Sequence, residues 1–176
     1  MRVVAGTARG RPLVAPGGRH TRPTSDRVRE AIFNALASMD AVTGATVLDL
    51  FAGSGALGVE ALSRGAAHCT FVEPAREALA AIRQNLSKTG LADRASVVPG
   101  HVEPFLAGFS GSVDLALCDP PYAFERWPEL LARVPAAIVV CESDRPIVLG
   151  PGWCAIRSRR YGGTVVTFGA AADHET

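Results

Sequence analysis

The sequence predicts an α/β protein built on a mostly parallel sheet of about seven strands, with helices on both faces. Three observations carry this expectation. Apolar runs alternate with helix-patterned stretches from residue 46 onward. The first apolar run ends in a glycine-rich turn. The chain closes on two apolar-patterned stretches around Tyr161-Gly162-Gly163, which read as an antiparallel hairpin. At 176 residues, 48% hydrophobic and 20% charged, the composition fits one folded domain and excludes a wholly disordered chain.

The elements follow in order. Residues 2–5 and 11–15 flank 6–10 as two short strands, a β-hairpin extension over 1–23 outside the main domain of 24–176. Residues 24–39 form a helix: Ser25 and Asp26 suit its N-cap, and Val28, Ile32, Leu36 and Met39 recur at helical spacing. Strands are expected at 46–51, 69–72, 96–98, 113–118 and 137–141, and helices at 56–63, 75–87, 102–106 and 127–133. Residues 153–159 and 164–168 form the closing hairpin, and the tail from 170 frays.

Charge is distributed unevenly. Residues 1–30 hold seven arginines against Asp26 and Glu30, a net of +5 in a chain whose total is +1. A basic end on a mildly acidic body points to a polyanion partner. The four cysteines are scattered with no C-x-x-C pair, so neither a zinc site nor a disulfide framework is expected, and no metal. No secretory signal and no membrane span are expected, and the cytoplasm is the default location.

In an open parallel sheet, ligands bind beyond the carboxyl ends of the strands, where strand order reverses. Gly53, Gly55 and Gly58 form G-x-G-x-x-G directly after the first strand, and the second strand ends in Glu73. A carboxylate there accepts hydrogen bonds from ribose hydroxyls. This turn suits either a dinucleotide or S-adenosylmethionine. Asp49, just before the turn, would repel a pyrophosphate and suit an ammonium group, which favours S-adenosylmethionine.

The fourth strand ends in Asp119-Pro120-Pro121-Tyr122. A carboxylate and a proline-fixed backbone carbonyl can accept both N–H groups of a base's exocyclic amine. Such an amine attacks poorly because its lone pair is delocalised into the ring. Accepting its protons localises that pair and stabilises the charge that develops on methylation. Tyr122 is placed to stack on the base.

The glycine turn with Asp-Pro-Pro-Tyr resembles class I S-adenosylmethionine-dependent methyltransferases acting on exocyclic amines. More narrowly, the segments 22–34 (RPTSDRVREAIFN), 48–64 (LDLFAGSGALGVEALSR) and Glu142-Ser143 resemble the bacterial RsmD family. That resemblance implies a Rossmann-like fold and methylation of guanine N2 in 16S ribosomal RNA, with S-adenosylhomocysteine as product. It implies cofactor contacts from Asp49, Phe51, Gly53, Ser54, Gly55, Glu73 and Asp119. His101 or Val102 stands where such enzymes often carry Asp or Asn near the adenine. Asp119, Pro120 and Tyr122 would hold the reacting base. Arg2, Arg9, Arg11, Arg19 and Arg22, with Pro121 and Tyr122, would contact RNA, and Arg27 and Arg29 extend the basic end. The substrate would be 16S RNA in the small subunit or a late assembly intermediate, and the enzyme a monomer. The rivals are a DNA adenine-N6 methyltransferase, a protein glutamine methyltransferase and a dinucleotide binder. The first lacks room for a target-recognition region, and the second gives no reason for the basic end.

Overall fold

A computed structural model describes residues 1–17 and 24–172. The element order is α1 (Asp26–Ser38), β1 (Thr46–Leu50), α2 (Ala56–Ser63), β2 (His68–Glu73), α3 (Arg76–Thr89), β3 (Ala95–Pro99), α4 (Val102–Gly108), β4 (Val113–Cys118), α5 (Trp127–Leu131), β5 (Ala136–Ser143), β6 (Trp153–Tyr161) and β7 (Thr164–Ala171). The strands form one seven-stranded sheet in the order β3-β2-β1-β4-β5-β7-β6. β1 to β5 are parallel, and β6 and β7 close the edge antiparallel. β7 runs through Ala171, into the stretch expected to fray.

The inner strands read as nearly unbroken apolar runs because both of their faces are covered. Successive side chains alternate between two cores. Leu115 and Leu117 of β4 join the core under α1, α2 and α3, while Ala116 and Cys118 join the one under α4 and α5. α1 begins where expected, with the Ser25 hydroxyl accepting from the Val28 N–H at 3.2 Å. Gly58 is required by packing. A Cβ there would sit 2.3 Å from Cε1 of Phe71, so α2 could not lie this close to β2.

The N-terminal segment pairs with itself only briefly. Residues 1–15 do double back antiparallel, but only one bridge forms, between Arg2 and Pro12. The reason is where the backbone donors go. Val3 N–H donates to the Arg11 carbonyl, Gly10 N–H to the Val3 carbonyl and Leu13 N–H to the Met1 carbonyl. Val4 and Ala5 N–H, however, donate to Glu60, Ala8 N–H to the Ser63 hydroxyl and Val14 N–H to Asn85, so the ladder stays short. Gly6 lets this loop press onto the end of α2: a Cβ there would lie 1.9 Å from the Ser63 carbonyl oxygen. Val3, Ala8 and Leu13 are buried in the same core as α1 and α2. The segment is a clasp on the sheet domain rather than a projection.

Arg29 also departs from expectation. Although it belongs to the basic end by sequence, it is fully buried, paired with Asp26 at 2.8 Å and Glu60 at 3.4 Å, and it donates to the Arg2 carbonyl. It is therefore withdrawn from any surface contact.

Candidate active site

The strand order reverses between β1 and β4, so a crevice opens at their carboxyl ends. Register fills its floor. Val72, Leu50, Cys118 and Cys141 are aligned across β2, β1, β4 and β5. The next residue on each strand is therefore Glu73, Phe51, Asp119 or Glu142. Three carboxylates and an aromatic ring thus stand in one row along the rim.

A cavity of about 530 Å³ lies over this row. That volume is within the usual range for small-molecule sites, roughly 300–1,000 Å³. Phe51, Gly53, Ser54 and Glu73 line one part, and Asp119, Pro120, Pro121, Tyr122 and Glu142 another. Thr24 and Val28 at the start of α1 and the Tyr161–Thr164 turn of the closing hairpin complete the wall. Among the described lining residues there is no Lys, Arg or His. The described lining is thus net negative, which disfavours a pyrophosphate and favours a cationic ligand.

Each carboxylate is held differently. Glu73 bridges the glycine turn, accepting Gly53 N–H at 2.9 Å on one oxygen and Ala75 N–H at 2.9 Å on the other. Each oxygen keeps a further lone pair for a ligand hydroxyl. Asp119 Oδ2 lies 2.9 Å from Thr24 Oγ1. Burial raises its pKa from 3.8 to about 6, against the opposing effect of the Thr24 hydroxyl. Glu142 is 4% exposed and touches the same Thr24 hydroxyl, at 3.2 and 3.4 Å. Its burial, and then the charge of Asp119, push its pKa well above the usual carboxylate range.

Phe51 adopts φ 61°, in the left-handed region that side chains rarely enter. Its ring meets Phe124 edge-on at 5.5 Å, and Phe124 meets Trp127 at 5.3 Å, which fixes the aromatic wall. The Tyr122 hydroxyl lies 3.1 Å from that of Thr164, tying the Asp-Pro-Pro-Tyr turn to the closing hairpin.

Some expected site residues lie elsewhere. Asp49 is fully buried and accepts the Gly58 N–H at 2.9 Å, beneath the turn rather than on the cavity wall. Burial raises its pKa well above normal, opposed by the Gly58 N–H and reinforced by Asp119 and Glu73. Gly55 caps α2 and is buried against Phe71 and Ile82. His101 is exposed ahead of α4, and Val102 is packed in the core with Leu48 and Leu50, so neither reaches the cavity. Arg2, Arg9 and Arg11 are exposed on the clasp, away from the cavity. Arg19 and Arg22 lie outside the described residues. Residue-by-residue reasoning from sequence misses Thr24 and Glu142. Glu142 does carry a signal: like Glu73 and Asp119, it ends an apolar strand. Thr24 carries none. Among the described residues no three His, Cys, Asp or Glu side chains cluster as a metal site. No described helix is long and apolar enough to cross a membrane.

This sheet order, with its cavity at the β1/β4 reversal, is the architecture of a Rossmann-like class I methyltransferase. Residues 1–170 match the family described as conserved hypothetical protein 95, and the chain belongs to that family. It is similar to a putative rRNA methyltransferase, YlbH, of Bacillus subtilis, 38% identical over 163 residues, 85% of each chain. It is 43% identical over 122 residues to the ribosomal RNA small subunit methyltransferase D of Escherichia coli K12, an alignment covering 69% of this chain and 60% of that one. Among solved structures it resembles a putative methyltransferase, yhhF, from Escherichia coli, with TM-score 0.85, 34% identity and 97% of both chains covered. The RsmD resemblance is thereby borne out.

Proposed function

We propose that this protein transfers a methyl group from S-adenosylmethionine to the exocyclic N2 amine of a guanine in 16S ribosomal RNA. The carrying observation is the row of Glu73, Phe51, Asp119 and Glu142 beneath one cavity, with Pro120 beside Asp119. The anionic lining fits a donor bearing a sulfonium and an ammonium, and it disfavours the dinucleotide alternative. The rRNA methyltransferase names of the two sequence relatives support the RNA class. Guanine N2, 16S RNA and the small subunit or its late assembly intermediate rest on the RsmD family.

S-adenosylmethionine supplies an electrophilic methyl carbon and leaves as S-adenosylhomocysteine. Glu73 binds the ribose hydroxyls, and Phe51, Gly53 and Ser54 form the adjoining wall. Asp49 acts from below by holding the N-terminal end of α2 in place. Asp119 and the Pro120 carbonyl accept the two amine N–H groups, and Tyr122 stacks on the base. As the new N–C bond forms, Asp119 takes the proton that nitrogen must lose. Holding the amine and donor in line supplies much of the acceleration. The base leaves its stack to enter the cavity. Exposed Arg2, Arg9 and Arg11 bind phosphates outside it, with Arg19 and Arg22 assigned to the same role. The protein works as a cytoplasmic monomer and requires no metal.

Purified protein, labelled S-adenosylmethionine and small subunits lacking the modification test this reading. Label in a single N2-methylguanosine after nucleoside digestion is the expected result. Label in adenosine, in duplex DNA or in protein instead would overturn it.

A further inference from the structure

One hydroxyl serves two acidic side chains in this cavity. Thr24 Oγ1 lies 2.9 Å from Asp119 Oδ2, and 3.2 and 3.4 Å from the two Glu142 oxygens. A hydroxyl has one proton and two lone pairs. It can donate to only one of the two groups. If both were ionised, the other would face the hydroxyl's lone pairs with its own, inside a site that strips water from both. The geometry becomes satisfactory when one partner carries a proton and donates it to Thr24, which then donates to the other.

The surroundings decide which partner carries it. Both groups line the cavity and both are raised by burial, but Glu142 is only 4% exposed and lies deeper than the half-buried Asp119. Asp119 from the end of β4 and Asp49 from β1 both disfavour a charge on Glu142. Arg29 of α1 favours one, and its buried Nη1 has no hydrogen-bond partner among the described residues. Its Nε and Nη2, however, are engaged by Glu60, Asp26 and the Arg2 carbonyl, and its pull on Glu142 is weaker than the push from Asp119 and Asp49. On the other side β7 places Val166 opposite Glu142, with no charge to offer.

We propose that Glu142 is a proton-holding residue which, through the Thr24 hydroxyl, keeps Asp119 ionised and correctly turned to receive the substrate amine. The arrangement is Glu142–H donating to Thr24, and Thr24–H donating to Asp119. Glu142 and Thr24 are positioning residues; Asp119 alone touches the reacting nitrogen. One net negative charge then faces the amine rather than two. The proposal rests on the amine-methylation reading, and it assigns to β5 and the start of α1 a part in the same site.

Two measurements test it, one independent of turnover. In the free protein, carbon-13 carboxyl titration should show Glu142 still protonated through the pH range in which Asp119 ionises, with each signal assigned by its loss in Glu142→Gln or Asp119→Asn. Glu142 ionising before or together with Asp119 overturns the proposal, whether or not the protein methylates RNA. The pH profile of single-turnover transfer is the second. Thr24→Val should move its acid midpoint upward by about one unit, since a hydrogen bond to the charged form is removed, and Thr24→Ser should restore it. Glu142→Ala should lower the rate at least about tenfold, with Glu142→Gln recovering most of that loss because its amide N–H replaces the carboxyl O–H. In Glu142→Gln the midpoint should stay where it is in the unmodified protein. A downward move of a unit or more would mean that a charge had been removed beside Asp119, and would overturn the proposal. Absence of transfer by the unmodified protein would sink the methylation reading alone, since the carboxyl titration still decides where the proton resides.

Discussion

Glu60 is the point where the N-terminal clasp, α1 and α2 are joined, and removing its carboxylate should loosen all three. Its side chain is fully buried and accepts from Val4 N–H at 2.9 Å, Ala5 N–H at 3.0 Å, Arg29 Nε at 3.4 Å and Arg64 Nε at 2.8 Å. Glu60→Ala leaves the buried Arg29 guanidinium with Asp26, itself half-exposed, as its one described ion-pair partner beside the Arg2 carbonyl, and orphans two backbone donors. Breaking a buried ion pair from one side costs about 3–5 kcal/mol. In a domain of this size, each kcal/mol shifts Tm by about 2–4 °C, so a fall of roughly 6–20 °C is expected. Thermal unfolding followed by circular dichroism measures the fall. Hydrogen exchange should show amide protection disappearing first at Val4 and Ala5, whose N–H groups donate to Glu60 itself. A Tm within about 2 °C of the unmodified protein, or a clasp as protected as before, would refute the assignment of Glu60 as the joint.

Further outcomes concern pH and charge. Asp119 is raised from 3.8 to about 6, so between those values the folded state binds more protons than the unfolded one, and stability falls as pH rises through that window. Asp119→Asn, which has no charge to bury, should therefore match the unmodified protein near pH 4 and exceed it by on the order of 2 kcal/mol at pH 7, read by urea unfolding at both pH values. Replacing Arg2, Arg9 and Arg11 with Gln should weaken rRNA binding and flatten its salt dependence, by up to about one log unit for each phosphate no longer neutralised, read by filter binding across a salt series. An unchanged slope would remove the clasp from the RNA interface.

Much of this architecture is legible in the sequence because the signals are local. α2 and β4 fall on the residues their apolar patterns indicate, and Ser25 caps α1 as its side chain suggests. The Glu73 and Asp119 positions are legible for the same reason, since each ends an apolar strand just before a helix or turn. The remainder depends on pairings across long stretches of chain. The clasp keeps only a short ladder and sends other donors to Glu60 and Ser63, more than fifty residues away in sequence. Arg29 reads as a surface cation until Glu60 is placed beside it. Thr24 joins Asp119 only when α1 is laid across the crevice, and no local pattern records that. Asp49 reads as a ligand group from its place before the glycine turn, but the turn itself covers it.

The most direct test of the central claim separates binding from chemistry at Asp119. Single-turnover methyl transfer to small-subunit RNA and calorimetric titration with S-adenosylhomocysteine should be run on Asp119→Ala beside the unmodified protein. Transfer should fall by about a thousandfold or more while the Kd for S-adenosylhomocysteine stays within about threefold. Transfer at a near-normal rate would contradict the account, because the amine would then be activated without the carboxylate at the end of β4.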